Sequence, residues 1–238
     1  MSAHRHLRAA PLALLAALAL GLSACASVTG SGTARTLDKG QTQLGAGFEL
    51  GLGLPKLSPE YHAPLLWPQF VAGIRHGFSE RVDGGARVWG FGIQGLYTAG
   101  AQLDTKIALH QADSRNSGTD YTLAPSASYH QVNFGHAPNH SAIAQLPLLI
   151  GFNLPGEAQA TVGPRVGYQG VFSAGQHPVH LIAFGSNFAV SADINDRITL
   201  VPEFVLLYSP VSFNGTVDGG EQRGLTIMQL GLGFQFDL

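Results

Sequence analysis

The chain has 238 residues, with 13 Lys and Arg against 15 Asp and Glu for a net charge of −2, and only 12% of it is charged. This balance argues against a nucleic-acid partner, because that binding rests on Lys and Arg neutralising phosphates. A single cysteine excludes a disulfide framework and a thiolate metal site.

The first element is a leader. Met1 to Arg8 carries Arg5 and Arg8, and an apolar run of Ala, Leu, Gly and Pro follows from Ala9 to Leu22. That run is too short for a membrane helix, which needs about 20 residues, and it has the layout of a secretory signal peptide. The next residues, Leu22-Ser23-Ala24-Cys25, resemble the lipobox of bacterial lipoproteins, in which the thiol takes a diacylglyceryl group and the chain is cut ahead of it. The resemblance implies Cys25 as the lipidated first residue. With Ala26 in place of an aspartate, resemblance to enterobacterial sorting implies the outer membrane of a Gram-negative cell. The expected divisions are a signal peptide at 1–24, a lipidated tether at 25–40 that includes "GSGT" at 30–33, and one further domain at 41–238. Losing 1–24 removes both leader arginines and leaves 11 basic against 15 acidic residues.

From Gln43 the period changes to two, the signature of a β-strand. Leu44, Ala46, Phe48, Leu50, Leu52 and Leu54 alternate with Gln43, Gly45, Gly47, Glu49, Gly51 and Gly53. Further strands are expected at about 69–78, 82–91, 101–110, 120–132, 143–152, 158–170, 179–192, 197–208 and 227–238, giving about ten, with eight or twelve open. In the fourth strand Gln102, Asp104, Lys106 and His110 share the polar face. Pro125, Pro147, Pro164 and Pro202 fall inside strands, where a missing donor calls for a bulge. In the third strand Trp89 shares the face of Arg87, which suggests a register shift after Val88.

An even count returns both termini to one side, and the connections alternate between generally short ones (79–81, 153–157, 193–196) and an opposite set that includes longer ones at 55–67, 135–140 and 209–224; the segment 111–119 breaks the trend. Short periplasmic turns and longer outer loops are the asymmetry of outer-membrane barrels. The polar face holds mainly Gly, Gln, Asn, Thr and isolated charges rather than many Lys and Glu, which suits a crowded lumen. Phe70, Tyr168 and Tyr208 form one outward aromatic band, and Phe78, Tyr121, Phe152 and Phe236 form another, as interfacial girdles do. The expected fold is therefore all-β, a transmembrane antiparallel up-and-down barrel. Its lumen charges are Glu49, Arg75, Arg87, Asp104, Lys106, Arg165 and Glu203, with Arg87–Asp104 and Arg165–Glu203 as candidate pairs. Mixed signs at mid-height predict a lumen packed shut rather than a selective ring.

Three stretches carry a resemblance. "TARTLDKGQTQLGAGFELG" (33–51) is similar to the opening of a group of small bacterial outer-membrane β-barrel lipoproteins that begin with an Ala-Arg-Thr-Leu element. "GIRHGFSERVDGGARV" (73–88) resembles a hairpin common in outer-membrane barrels, and "GLGFQFDL" resembles the C-terminal strand read by the barrel-assembly machinery, although here Leu238 follows Asp237. The resemblance implies fold and place, with no assigned reaction, and as partners the outer-membrane lipid and, during biogenesis, the lipoprotein-sorting and barrel-assembly machineries. The expected role is structural or that of a small porin-like pore; an outer-leaflet lipid-modifying or hydrolytic enzyme and a tethered soluble ligand-binding barrel are the alternatives. No catalytic, cofactor or metal residues are assigned. His62, His136, His140 and His177 lie in the outer connections without a catalytic motif, and a His136–His140 pair outside a helix makes a weak metal site; they read as solvated loop histidines.

Overall fold

The alternation at 43–54 forms most of β1 (Thr42–Pro55), where glycine on one face and leucine or phenylalanine on the other fit a sheet that divides two environments. There follow β2 (Leu65–Ser79), β3 (Val82–Ile93), β4 (Leu96–His110), β5 (Thr119–Leu123), β6 (Ser126–Phe134), β7 (Asn139–Asn153), β8 (Gln159–Ser173), β9 (Val179–Asn195), β10 (Ile198–Phe213) and β11 (Leu225–Asp237). The computed structural model describes residues 32–55, 65–93, 96–134, 138–173, 178–213 and 225–238, and among them there is no helix.

Every neighbouring pair is antiparallel, and the ring closes where β1 meets β11, from Gln43 opposite Asp237 to Pro55 opposite Leu225. β5 and β6 together occupy one position, both lying between β4 and β7, so the barrel has ten strand positions. Closure matters physically because a sheet with no free edge leaves no unpaired backbone row. Both termini of the ring and the connections 80–81, 111–118, 154–158 and 196–197 lie at one end, here called the turn end; the other is the loop end.

The prolines do less than the sequence suggests. Pro202 keeps its place opposite Leu232 on β11, and the β9 ladder skips its level without changing register. Pro164 likewise stays opposite Ser186 while the β7 ladder skips it. Each removes one donor from one neighbour, and the other ladder holds the strand straight. Only Pro125 breaks a strand, and the break is stitched: Ala124 N donates to Pro147 O at 3.0 Å and Thr105 N to Pro125 O at 3.1 Å. The bulges fall elsewhere, between Gly77 and Ser79, Ala108 and His110, Ile198 and Thr199, and Tyr208 and Val211. The one after Ala108 turns His110 away from the polar face and sets it beside outward Tyr121, since an extra residue re-aims the side chains beyond it. No shift follows Val88; Trp89 keeps the parity of Arg87 and points inward.

The burial pattern is inside out. Gln69, Asp83, Asp120, Thr122, Asn187 and Gln229 are 0% exposed, whereas Phe70, Leu103 and Leu230 are 62%, 68% and 57% exposed. A wall with apolar side chains outside and buried polar ones inside is stable in hydrocarbon and not in water. The aromatic residues of both expected bands are on this outer surface.

Candidate functional site

The lumen holds the chemistry. All seven expected charges lie on inward positions, and the ladder explains their neighbours. Towards the loop end the interior mixes buried apolar Trp67, Val132, Leu181, Leu207 and Ile227 with buried polar Thr98, Ser141 and Ser209. Beneath it, Glu49 accepts from Gln69 Nε2 at 2.6 Å and from Gln229 Nε2 at 2.9 Å, one donor from each flanking strand. At a similar depth Arg165 donates to Gln145 Oε1 at 3.1 Å and stands 3.9 Å from Glu203, both of them buried. The expected Arg165–Glu203 pairing across β9 is therefore present.

The Arg87–Asp104 pairing is not. Arg87 faces Gln102 in register and donates to it at 2.8 Å, with its guanidinium 6.0 Å from the ring centre of Trp89. Asp104 is taken by Arg75, which also pairs with Asp83. The reason is Gly85, which lies between Arg75 and Asp104 in the two ladders. A Cβ there would come within 2.9 Å of Arg75 Nη2 and 3.1 Å of Asp104 Oδ1. The missing side chain opens a passage over β3, and the arginine two strands away uses it.

Three further charges belong to this interior: Arg35, Asp83 and Asp120. Asp83 shares the parity of Arg87, so the period of two carried the signal for it. Arg35 lies in no strand, so no period could mark it. Its segment is the larger surprise. The described part of the expected tether is residues 32–40, and 32–37 of it are held inside the turn-end mouth. Gly32 reaches Val201 and Gln235 on the wall, and Ala34 is 0% exposed beside Leu149 and Ala124. Arg35 Nε lies 3.2 Å from Asp120 Oδ2, and Lys106 Nζ donates to Thr33 Oγ1 at 3.1 Å. Above Gly32 lies a cavity of about 130 Å³ bordered by Glu49, Arg75, Arg87, Asp104 and Glu203.

His130 is also inward and buried, its ring between Thr98 Oγ1 at 2.9 Å and Ser141 Oγ at 3.4 Å; its burial removes it from any bulk substrate. His140 is on β7 rather than in a loop, with Tyr129 OH 2.5 Å from its Nδ1. His180 and Tyr168 repeat this contact at 2.6 Å two strands on. His62, His136, His177 and Cys25 lie outside the described residues. Among the described residues no cluster of three His, Cys, Asp or Glu could hold a metal ion.

No known protein family matches the chain, and no curated protein matches it in sequence. Solved structures similar to it include the outer-membrane protease OmpT of Escherichia coli, 8% identical with a TM-score of 0.48 over 87% of this chain and 100% of that one. The translocator domain of the autotransporter NalP from Neisseria meningitidis is 12% identical, with a TM-score of 0.43 over 95% and 96%. The outer-membrane protein OprG of Pseudomonas aeruginosa is 11% identical, with a TM-score of 0.36 over 87% and 99%.

Proposed function

We propose that the protein is a lipid-anchored integral barrel of the bacterial outer membrane, with a structural or small-pore role and a lumen that is closed at rest. The observation that carries this reading is the stack of opposite-charge contacts across the interior: Arg165 with Glu203, Arg75 with Asp83 and Asp104, and Arg35 with Asp120. Charges satisfied by one another leave no ring of a single sign to draw an ion through. The apolar exterior supports integral insertion, and the lipobox at 22–25 supports the anchor. Between Cys25 and Gly32 the extended chain reaches about 25 Å, enough to return from inside the mouth to the leaflet at the turn end, which in this orientation faces the periplasm.

Planar-bilayer recording tests the closed lumen: near-silent wild-type channels are expected, and a large steady conductance overturns it. Labelling of cells with a clickable palmitate tests the anchor. Label lost in Cys25→Ser is expected, and an unlabelled wild type overturns that part. Release of the protein by carbonate would overturn integral insertion.

A further inference from the structure

The strand ladder closes without residues 32–38, yet four strands and two turns present hydrogen-bonding groups to that segment, as side chains and turn carbonyls. Ala34 is bound through both backbone groups: its N–H donates to Gln159 Oε1 at 2.7 Å, and its carbonyl accepts from Thr122 Oγ1 at 2.6 Å. Its methyl fits a space with no spare room. A Cβ on Gly151 would stand 2.7 Å from it, and Leu149 and Ala124 form the remaining wall.

Arg35 is read in the same detail. Its Nη2 donates to Ala112 O at 2.6 Å and its Nε faces Asp120, a carboxylate already oriented by Ala112 N at 2.7 Å and by Gln159 Nε2 at 2.8 Å. Thr36 Oγ1 donates to Glu80 O at 3.3 Å and is met by Gln111 Nε2, while Leu37 N donates to Asp83 Oδ2 at 2.9 Å. Outside the mouth Arg115 donates to Asp38 at 2.9 Å. A second cavity of about 110 Å³, bordered by Thr33, Arg35, Glu157 and Asp193, runs along the segment. The segment thus lies on polar groups and beside open space, with a single small apolar anchor.

We propose that the turn-end mouth is a peptide-binding site for an Ala-Arg-Thr-Leu sequence bent at its Ala-Arg step, filled in cis by residues 34–37, and that this ligand is exchangeable. The small residue is selected by Gly151 and Leu149, and the arginine by the preorganised Asp120. A charge-assisted contact to an oriented carboxylate is the kind that gives geometric specificity. The site is separate from the Arg165–Glu203 layer, and its occupancy is read independently of conductance.

The exposed turn at Lys39 allows a direct test. The chain has only two other lysines, Lys56 and Lys106, and Lys106 is buried. Purified full-length Lys56→Arg protein in detergent is first checked for the gel-mobility shift of a folded barrel. It is then cut after Lys39 with a lysine-specific protease, and the N-terminal fragment is followed through gel filtration. Retention with the barrel is expected, and release about tenfold faster or more from Arg35→Ala, Asp120→Asn or Ala34→Leu, the size of effect that losing one good contact gives. A synthetic peptide spanning residues 30–39 should rebind the stripped barrel, and its Arg35→Ala version should bind about tenfold more weakly or worse. Equal release from wild type and Arg35→Ala overturns the proposal, as does equal binding of the two peptides. Loss of the folded-barrel shift on cleavage also overturns it, because the segment would then be part of the fold. A conducting barrel that keeps its fragment would sink the closed lumen and leave this site standing.

Discussion

Arg165 and Glu203 are both buried and 3.9 Å apart, so removing one leaves the charge of the other in a place chosen for a pair. Breaking a buried pair this way costs roughly 3 to 5 kcal/mol. Arg165→Ala should lower the urea unfolding midpoint clearly, and adding Glu203→Gln should recover part of the loss; two silent substitutions would mean that water fills this layer. Glycine sets a second residue-scale constraint. The indole of Trp67 lies over Gly51, its Cε2 within 2.0 Å of where a Cβ would stand, and Trp89 lies over Gly100 in the same way. Gly51→Val must displace a rigid ring, at a cost of about 1 to 3 kcal/mol. With only two tryptophans in the chain, the emission spectrum checks this: a red shift is expected, and an unchanged spectrum would place Trp67 elsewhere. At this scale the seven expected charges were legible from parity, whereas Arg35, which lies in no strand, was not. The partner of Asp104 was not, because the passage that admits Arg75 is made by an absent side chain at Gly85.

The fifth strand position is the weak element. Its outer half is well paired, but β5 has five residues, meets β4 in a ladder interrupted by a register shift, and ends in the Ala124–Pro125 break. The β1–β11 seam, by contrast, runs unbroken from Gln43 to Pro55. Local opening follows the density of such contacts. Hydrogen exchange in detergent should therefore release amides 119–123 well before those of 44–52; uniform protection would contradict this ranking. The sequence marks 120–132 as one strand because its alternation continues across Pro125, and inward parity is indeed kept on both sides of the break. The bulge after Ala108, however, shifts parity without leaving a composition signal. His110 went to the wrong face for that reason, and Pro164 and Pro202, which looked like bulges, cost only single ladder bonds because the barrel has a second neighbour to hold each strand.

At the scale of the whole molecule, period-two alternation over nearly the full length was enough to indicate a closed barrel with a polar interior, and the even number of strands placed both ends together. Orientation comes from unequal connections, which is an argument from biogenesis and can be checked from outside the cell. Cysteines engineered near Asn214 should react with an impermeant probe on intact cells, and those near Asp196 should not; equal reaction would reverse or void the assignment. Residues 33–38 left no such mark in the sequence. Their partners are side chains and carbonyls scattered over four strands and two turns, and recognition of that sort imposes no period on the segment recognised.

That seating also has a consequence in time. Ala34, near the start of the chain, bonds to Gln159 at a separation of 125 residues, and Arg35 bonds to Asp120 at a separation of 85. Contacts between distant parts of a chain form only after the loop between them has been closed at its entropic cost. Although translated early, the segment cannot settle before β8 has joined the growing sheet, and until then its binding groups face an unfinished interior. The earliest-made part of the described chain thus finds its place late, and its arrival reports that the sheet has been built at least as far as β8.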